Sequence, residues 1–401
     1  METIDLVPAD PAAGSTSPVD GAIWPDTVDP AVLAALAPGV PDELDRAPDV
    51  LVVGGGVLGL ATAVQLRLAG VERVVVIERD RLASHASGGA GALITPDTRP
   101  WEDPPAVAAL AVESTDMLRA FDAECDGGTG LRSMDMLTAL PFDLPEGFSP
   151  GAPAERIDTA GLAAVEPELH GAVCGLLVRN QAHVNPLRYA AELAERAGTT
   201  VTGVTALSVA VDHGRVVSVR TSHGDFTPGS VVLATGRSGL PAPQIAERWV
   251  KGHLIATEPA PFRLRVGIST PEGLVVQLAD GRLVTGGTRH EGDETPGADP
   301  VTTDEIAAHL ASLLPAAERL RVTHRWSCFR PATADGVAVA DRVPGVDNAW
   351  CTAGHDAIGI LMAAVTGRIL AEWITTGARP DRAAALAWDR PARSDRRPAS
   401  A

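Results

Sequence analysis

The stretch "VVGGGVLGLATAVQLRLAGVERVVVIERD", residues 52–80, limits what this chain can fold into more than any other part of it. Leu51, Val52 and Val53 make a short buried-strand run, and Gly54-Gly55-Gly56-Val57-Leu58-Gly59 fits G-x-G-x-x-G. Leu60, Val64 and Leu68 then recur on one helical face up to Gly70, and Val74 to Ile77 reads as a second strand ending at Glu78. Gly54 permits the tight turn, Gly56 lets backbone approach a pyrophosphate, and Gly59 lets helix pack on strand. Free N–H groups and the positive dipole at the helix start favour an anion there. Glu78, 24 positions after Gly54, is placed to accept hydrogen bonds from a ribose diol. Strand, glycines, helix and acid in this order predict a dinucleotide site. A glycine-rich turn in an ordinary α/β sheet is the plainer alternative.

The 401 residues can bury a large core and suggest two or three domains. No uninterrupted apolar run of membrane-spanning length stands out, and the N-terminus lacks the basic start of a signal peptide. Cys125, Cys174, Cys328 and Cys351 show no C-x-x-C spacing, so reduced thiols and a cytoplasmic location are expected. Cys351 and His355 lie four apart with no second ligand pair nearby, so no metal is expected. The net charge of −18 argues against nucleic acid as a partner.

Charge and turn residues divide the chain. Residues 1–46 carry nine acids against Arg46 and are rich in Pro, Ala and Gly, which predicts a disordered acidic extension with at most a short helix around Pro30 to Leu36. Residues 379–401, with six arginines up to Arg397, read as a flexible solvated tail. Between these ends, Asn185-Pro186 opens a helix that Gly198 closes, and residues 200–211 and 215–221 read as strands joined at His213-Gly214. Val231 to Ala234 is a buried strand running into a turn at Gly236. Strands Val275 to Ala279 and Arg282 to Thr285 flank the hairpin signal Asp280-Gly281, and Thr302 to Glu305 reads as a capping box before a helix that Pro315 ends. The expected fold class is α/β. A Rossmann-like nucleotide domain (47–125, 178–242 and 326–378) would carry an inserted, mostly antiparallel α+β domain (126–177 and 243–325).

The fingerprint does not separate NAD from FAD, but two further segments bear on the choice. "RLASHASGGAGALITP", residues 81–96, is dense in small residues that let backbone approach a flat ligand. "RPATADG" from Arg330 and "GHDAIGI" from Gly354 bring a strand end and a helix start together near the C-terminus. With the fingerprint and Glu78-Arg79, these segments in this order resemble the D-amino-acid oxidase superfamily of FAD-dependent oxidoreductases. The likeness is to its glycine oxidase and dye-linked dehydrogenase branch and spans roughly residues 48–378. An NAD dehydrogenase would have no reason for the second and third segments.

The resemblance implies FAD as cofactor. Gly54, Gly56, Val57, Leu58 and Gly59 would hold its diphosphate, and Glu78-Arg79 its adenosine end. His85, Ala86, Ala90, Gly91 and Ala92 would lie along the ribityl chain and flavin, and Leu207 would meet the adenine through its backbone. Gly236 and the run His355, Asp356, Ala357, Ile358, Gly359, Ile360 and Leu361 would complete the site, the last run at the flavin pyrimidine edge.

The reaction implied is oxidation of an amino acid or N-substituted amino acid. Hydride passes from Cα to flavin N5, and water hydrolyses the resulting imine to a keto or aldehyde acid and an amine. No protein acid or base is assigned. Arg330 would fork onto the substrate carboxylate. Leu274 stands where relatives place a tyrosine over the flavin, and Arg289 sits on the pocket wall. Two arginines in a pocket without tyrosine favour a substrate with a second anionic or strongly polar group, such as an acidic amino acid or an N-carboxyalkyl amine, the alternative being that Arg289 faces solvent at a strand end. Lys251 could assist reaction with oxygen, although a lone lysine is usually a solvated surface residue. A flavin-holding electron-relay or assembly subunit of a dehydrogenase complex is the competing reading. The electron acceptor and any homo-oligomer stay open.

Overall fold

Six strands make a sheet in the spatial order Val339–Arg342, Ala349–Ala353, Ser230–Leu233, Val50–Val53, Val74–Glu78, Thr199–Thr202. All neighbours run parallel except the first pair. These strands are continuous apolar runs because both faces are covered. Val52, Val76 and Val232 point into the main core, while Leu51, Val75, Ile77 and Val231 point into a second cluster against a small four-stranded sheet. The computed structural model describes residues 2–6, 21–98, 103–145, 153–236 and 247–390.

Seven α-helices surround the sheets among these residues: α1 Pro30–Ala35, α2 Val57–Leu68, α3 Pro105–Glu124, α4 Thr159–Val165, α5 Pro186–Arg196, α6 Pro300–Leu313 and α7 Gly359–Thr376. Helices α2 and α7 cross so closely that a Cβ on Gly367 would lie 2.8 Å from the Ala61 backbone. The stretch Asp356–Thr376 is long and apolar enough to cross a membrane, but 72% of its most apolar 18 residues is buried, as befits a core helix. Leu68, expected on the buried face of α2, is 72% exposed at the helix end.

The second large sheet is mostly antiparallel. Glu247–Pro259 pairs with Val322–Thr333 along nearly its whole length, and Gly273–Gln277 turns into Arg282–Gly286 at Asp280-Gly281, where Gly281 has φ +95. One face (Leu254, Ala256, Val276, Trp326) packs into the main core, and the other (Leu137, Val275, Leu283) packs with Leu310 and Leu313 of α6. The sheet reaches beyond the expected domain limits. Cys174–His183 continues past residue 177 and Val322–Thr333 past 326, because each keeps its antiparallel partner.

Local signals fare unevenly. Asn185 caps α5 as expected, accepting from Leu187 N and Arg188 N. Helix α6 starts earlier than the expected box. Asp299 is its cap, accepting from Thr302 N at 2.8 Å, and Pro300 occupies the first turn. The run 200–211 is two strands in different sheets, broken at Gly203, whose φ of +79 turns the chain.

The ends require correction. Residues 21–46 do not form a disordered extension. Ile23 and Trp24 are fully buried, Leu36 nearly so, and the Leu36 carbonyl accepts from Leu82 N at 2.9 Å. The strand Glu2–Asp5 adds antiparallel to Ala206–Asp212 at the edge of the small sheet. Residues 7–20, also assigned to that extension, lie outside the described residues. At the other end, residues 379–390 are docked: Ala383 and Leu386 are buried, and Arg390 forks onto Asp335 at 2.9 Å. Residues 391–401 lie outside the described residues.

Buried histidines make the fold acid-sensitive, His183 and His355 among them. Burial lowers the pKa of His183 and of His355 from 6.5 to about 4. Between these values the unfolded chain binds more protons than the folded one. Their contribution is therefore complete above pH 6.5 and is lost as pH falls toward 4, at up to ~1.4 kcal/mol per pH unit for each. Denaturant midpoints should fall along this course, and a midpoint unchanged from about pH 7 to pH 5 would contradict it.

Candidate active site

The glycine fingerprint divides into structural and open positions. Gly54 has φ +114, and a Cβ there would drive into the Ala234 backbone. A Cβ on Gly59 would strike the Gly54 carbonyl, so the start of α2 and the turn touch without space between them. At Gly56 a Cβ would meet only Ser87 Oγ, at 3.3 Å. Gly56 is also the N-cap of α2 and makes no side-chain cap. The helix therefore faces the opening with its N–H groups, an arrangement that suits a diphosphate. Val57 N donates to Ser87 Oγ at 3.1 Å, which adds a hydroxyl to the cradle. Motif spacing alone does not mark Ser87 as a site residue. Its signal is its place inside the small-residue segment.

Glu78 closes the second strand, its carboxylate accepting from Gly55 N at 2.7 Å and Asp80 N at 3.0 Å. Each oxygen keeps a further lone pair for a ribose hydroxyl. Arg79 and His85 both bind Asp80, at 3.1 and 2.7 Å, and the His85 bond holds that carboxyl below its usual range despite partial burial. His85 thus pairs beside the Glu78 strand end. Leu207 lies on Ala206–Asp212, its carbonyl already accepting from Leu6 N at 2.9 Å.

The small-residue segment is pinned from several sides. Trp24 Nε1 donates to the Ala90 carbonyl and Trp326 Nε1 to the Gly89 carbonyl, each at 3.0 Å. Ala86, Ala90 and Gly91 remain partly exposed, while Ala92, at φ +56, is buried. Leu274 packs over Gly91, whose Cβ would be 3.4 Å from Leu274 Cδ2. On the C-terminal side, Asp356, Ala357, Ile358 and Gly359 are accessible at the start of α7, and Ile360 and Leu361 are buried. Helix α7 also begins without a side-chain cap. The His355 ring turns inward, its Nε2 3.2 Å from Thr366 Oγ1, so this residue faces the core with its side chain. Gly236, after Ser230–Leu233, turns at φ +56.

Arg330 comes from the strand Val322–Thr333, facing Val250 across the sheet. Its Nη1 donates to the Thr288 carbonyl at 2.9 Å, and its guanidinium lies where a Cβ on Gly252 would be. Gly252 therefore makes the space for the arginine, and Thr288 aims it. Neither was legible as such in the sequence. Thr288 is itself fixed, its Oγ1 accepting from His253 N at 3.0 Å.

Two expectations fail here. Arg289 is not a free anion anchor: its guanidinium forks onto Asp356, at 3.2 and 2.9 Å. Asp356 stands at φ +47 just before α7, so this pair ties the end of the hairpin to the helix start. Lys251 is not on the surface. It is 1% exposed, and its Nζ reaches Asp293 at 3.1 Å and Thr295 Oγ1 at 2.9 Å. The Thr295 bonds, with Lys251 behind them, hold the Asp293 carboxyl well below its usual range. Strand alternation directs Lys251 away from the face carrying Gly252 and Arg330.

Known proteins resemble this chain in sequence and in fold. The family model described as "FAD dependent oxidoreductase" (DAO) matches residues 49–373. Glycine oxidase of Pseudomonas aeruginosa is 30% identical over 359 residues, covering 82% of this chain and 95% of that protein. A D-amino acid dehydrogenase of Cereibacter sphaeroides is 31% identical over 298 residues, covering 69% of this chain and 67% of its own. Among solved structures, glycine oxidase from Bacillus cereus superposes with a TM-score of 0.75 at 20% identity, covering 84% of this chain and 98% of that one. L-amino acid deaminase from Proteus vulgaris superposes with a TM-score of 0.77 at 16% identity, covering 88% and 99%.

Proposed function

The chain belongs to the DAO family of FAD-dependent oxidoreductases, and on that premise we propose that it oxidises the C–N bond of a carboxylate-bearing amine, an amino acid or N-substituted amino acid, anchored by Arg330. The observation that carries this reading is the seating of Arg330. One guanidinium N–H is committed to the Thr288 carbonyl, and the space left by Gly252 holds the head in place. The remaining donors form a fork that fits a carboxylate and so fixes the direction of the substrate Cα–H.

The α2 cradle and the start of α7 would hold FAD, which when bound would supply a two-electron acceptor for the hydride leaving Cα. Gly54, Gly56 and the first turn of α2, with Ser87, would hold its diphosphate, and Glu78 its ribose. Leu274 over Gly91 supplies an apolar wall that excludes water from the substrate side. Ala90 and Gly91 are held by Trp24 and by packing, so the wall and the floor are positioned before substrate arrives. No side chain is assigned as acid or base. An amine that binds uncharged already has the lone pair that expels the hydride, and water then hydrolyses the imine.

Arg330→Lys tests this reading. The variant should retain the flavin spectrum but lose ~2–3 kcal/mol in anaerobic reduction by its amino-acid substrate, because an ammonium cannot make the planar fork. Full reduction rates in Arg330→Lys, or no reduction of the wild type by any carboxylate-bearing amine, would refute it. The second result would favour an electron-relay subunit.

Arg289 acts in this site through Asp356. Arg289→Ala should leave the Asp356 carboxylate uncompensated at the helix start. Flavin reduction should then become harder by ~1 kcal/mol, about 20 mV for a two-electron couple. A potential that stays put, or rises, would show that the pair only braces the fold.

A further inference from the structure

Outside the cleft just described, a cavity of about 550 Å³ opens where the long sheet meets the start of α5. Its walls include Trp24, His183, Arg132, Arg188, Arg265 and Asp280. Three guanidinium groups around one cavity stand out in a chain of net charge −18. Neither the Arg132 nor the Arg188 guanidinium makes a hydrogen bond or ion pair with another described residue. Arg265 gives one N–H to the Ala164 carbonyl at 3.1 Å and makes no salt bridge there. The one acid of this set does not neutralise them, because Asp280 is held by Arg282 at 2.8 Å.

The arrangement is built into the backbone. Gly130 stands at φ +69, and a Cβ there would lie 3.2 Å from Arg188 Cδ and 3.1 Å from Asn185 Cβ. Without a side chain, the loop lets the stem of Arg188 lie across it, beside the strand on which Arg132 is the first residue. Arg132 lies near enough to His183 to add to the effect of burial in keeping that ring neutral. Asn185 is fixed by its cap bonds and by donating to Thr27 Oγ1 at 2.8 Å. The volume falls within the range of small-molecule sites, ~300–1,000 Å³.

We propose that this cavity is a second ligand site, distinct from the substrate site, that binds a small organic dianion (a dicarboxylate or a phosphate monoester) between Arg132 and Arg188. Two unpaired guanidinium groups match two negative charges, and each can make charge-assisted bonds to one of them. The far wall connects to the flavin segment. Trp24 stacks on His183 with ring centroids 5.5 Å apart and donates to the Ala90 carbonyl, and His183 pairs with Leu93 two residues beyond Gly91. A ligand seated against Trp24 would therefore bear on the segment that carries Ala90 and Gly91.

Calorimetry on the FAD-loaded full chain at low ionic strength, with succinate and with glycerol 3-phosphate as probes and acetate as the control, tests the proposal. Saturable one-site binding of at least one dianion is expected, well above any binding of acetate, with a small shift of the flavin visible band. The dianion that binds decides between carboxylate and phosphate. The double variant Arg132→Gln/Arg188→Gln should bind at least ~10-fold more weakly. Arg188→Gln alone should weaken binding if the double variant folds poorly. Arg330→Lys should bind the dianion as the wild type does, which separates this site from the substrate anchor. No saturable binding of either dianion, binding undiminished in the arginine variants, or binding lost in Arg330→Lys would overturn it.

Discussion

Gly56→Val is expected to purify as a folded but nearly colourless protein. The fingerprint glycines differ in what surrounds them, and the difference predicts opposite outcomes. A side chain at Gly54 or Gly59 collides with backbone that belongs to the fold itself. A side chain at Gly56 meets only Ser87 Oγ at 3.3 Å and otherwise points into the opening at the start of α2. Valine there occupies the volume a pyrophosphate needs and covers the helix N–H groups that would bind it. A loss of ~4 kcal/mol or more, about a thousandfold in Kd, leaves little flavin bound after purification. The melting temperature of Gly56→Val should lie near that of wild-type apoprotein. Gly59→Val, by contrast, should lower stability with or without FAD. A yellow Gly56→Val protein with normal flavin content would remove the cradle from this place.

Deleting residues 1–46 is expected to abolish stable flavin binding, and Trp24→Ala should reproduce much of the effect. Trp24 is fully buried, stacked on His183, and its Nε1 holds the Ala90 carbonyl. Truncating a buried tryptophan costs ~3–5 kcal/mol through lost burial and the cavity left behind. The Ala90 carbonyl also loses its donor. Deletion removes Ile23 and Leu36 from the core as well, and with Leu36 the carbonyl that receives Leu82 N. Denaturant midpoints and flavin content, measured on Trp24→Ala and on a chain starting near Ala47, check this. Normal values for the shortened chain would show that the segment is dispensable, as its composition alone suggests.

That composition misleads for a physical reason. Disorder is inferred from mean charge and Pro, Ala and Gly content, and residues 1–46 score as acidic throughout. Docking needs only a few apolar side chains with a groove to receive them, and Ile23, Trp24 and Leu36 find one between the small-residue segment and α5. The groove is made by residues distant in sequence, so no window over the segment reveals it.

What the sequence determined by itself lies within short spans: the strand–glycine–helix–acid unit of residues 51–78, the Asn185 cap of α5, the hairpin at Asp280-Gly281. In each, the decisive interactions join residues a few turns or one hairpin apart, so spacing alone carries them. The order of three separated motifs was also legible, and it sufficed for the family. Tertiary structure alone decided which charges meet. Arg289 pairs with Asp356, 67 positions away; Lys251 is buried against Asp293; Gly252 makes the space for Arg330. A charged side chain has no periodicity to betray its partner. The partner is set by the register of the long sheet and by how its end meets the start of α7, and a one-residue slip in that register would turn Lys251 and Arg330 to the other face.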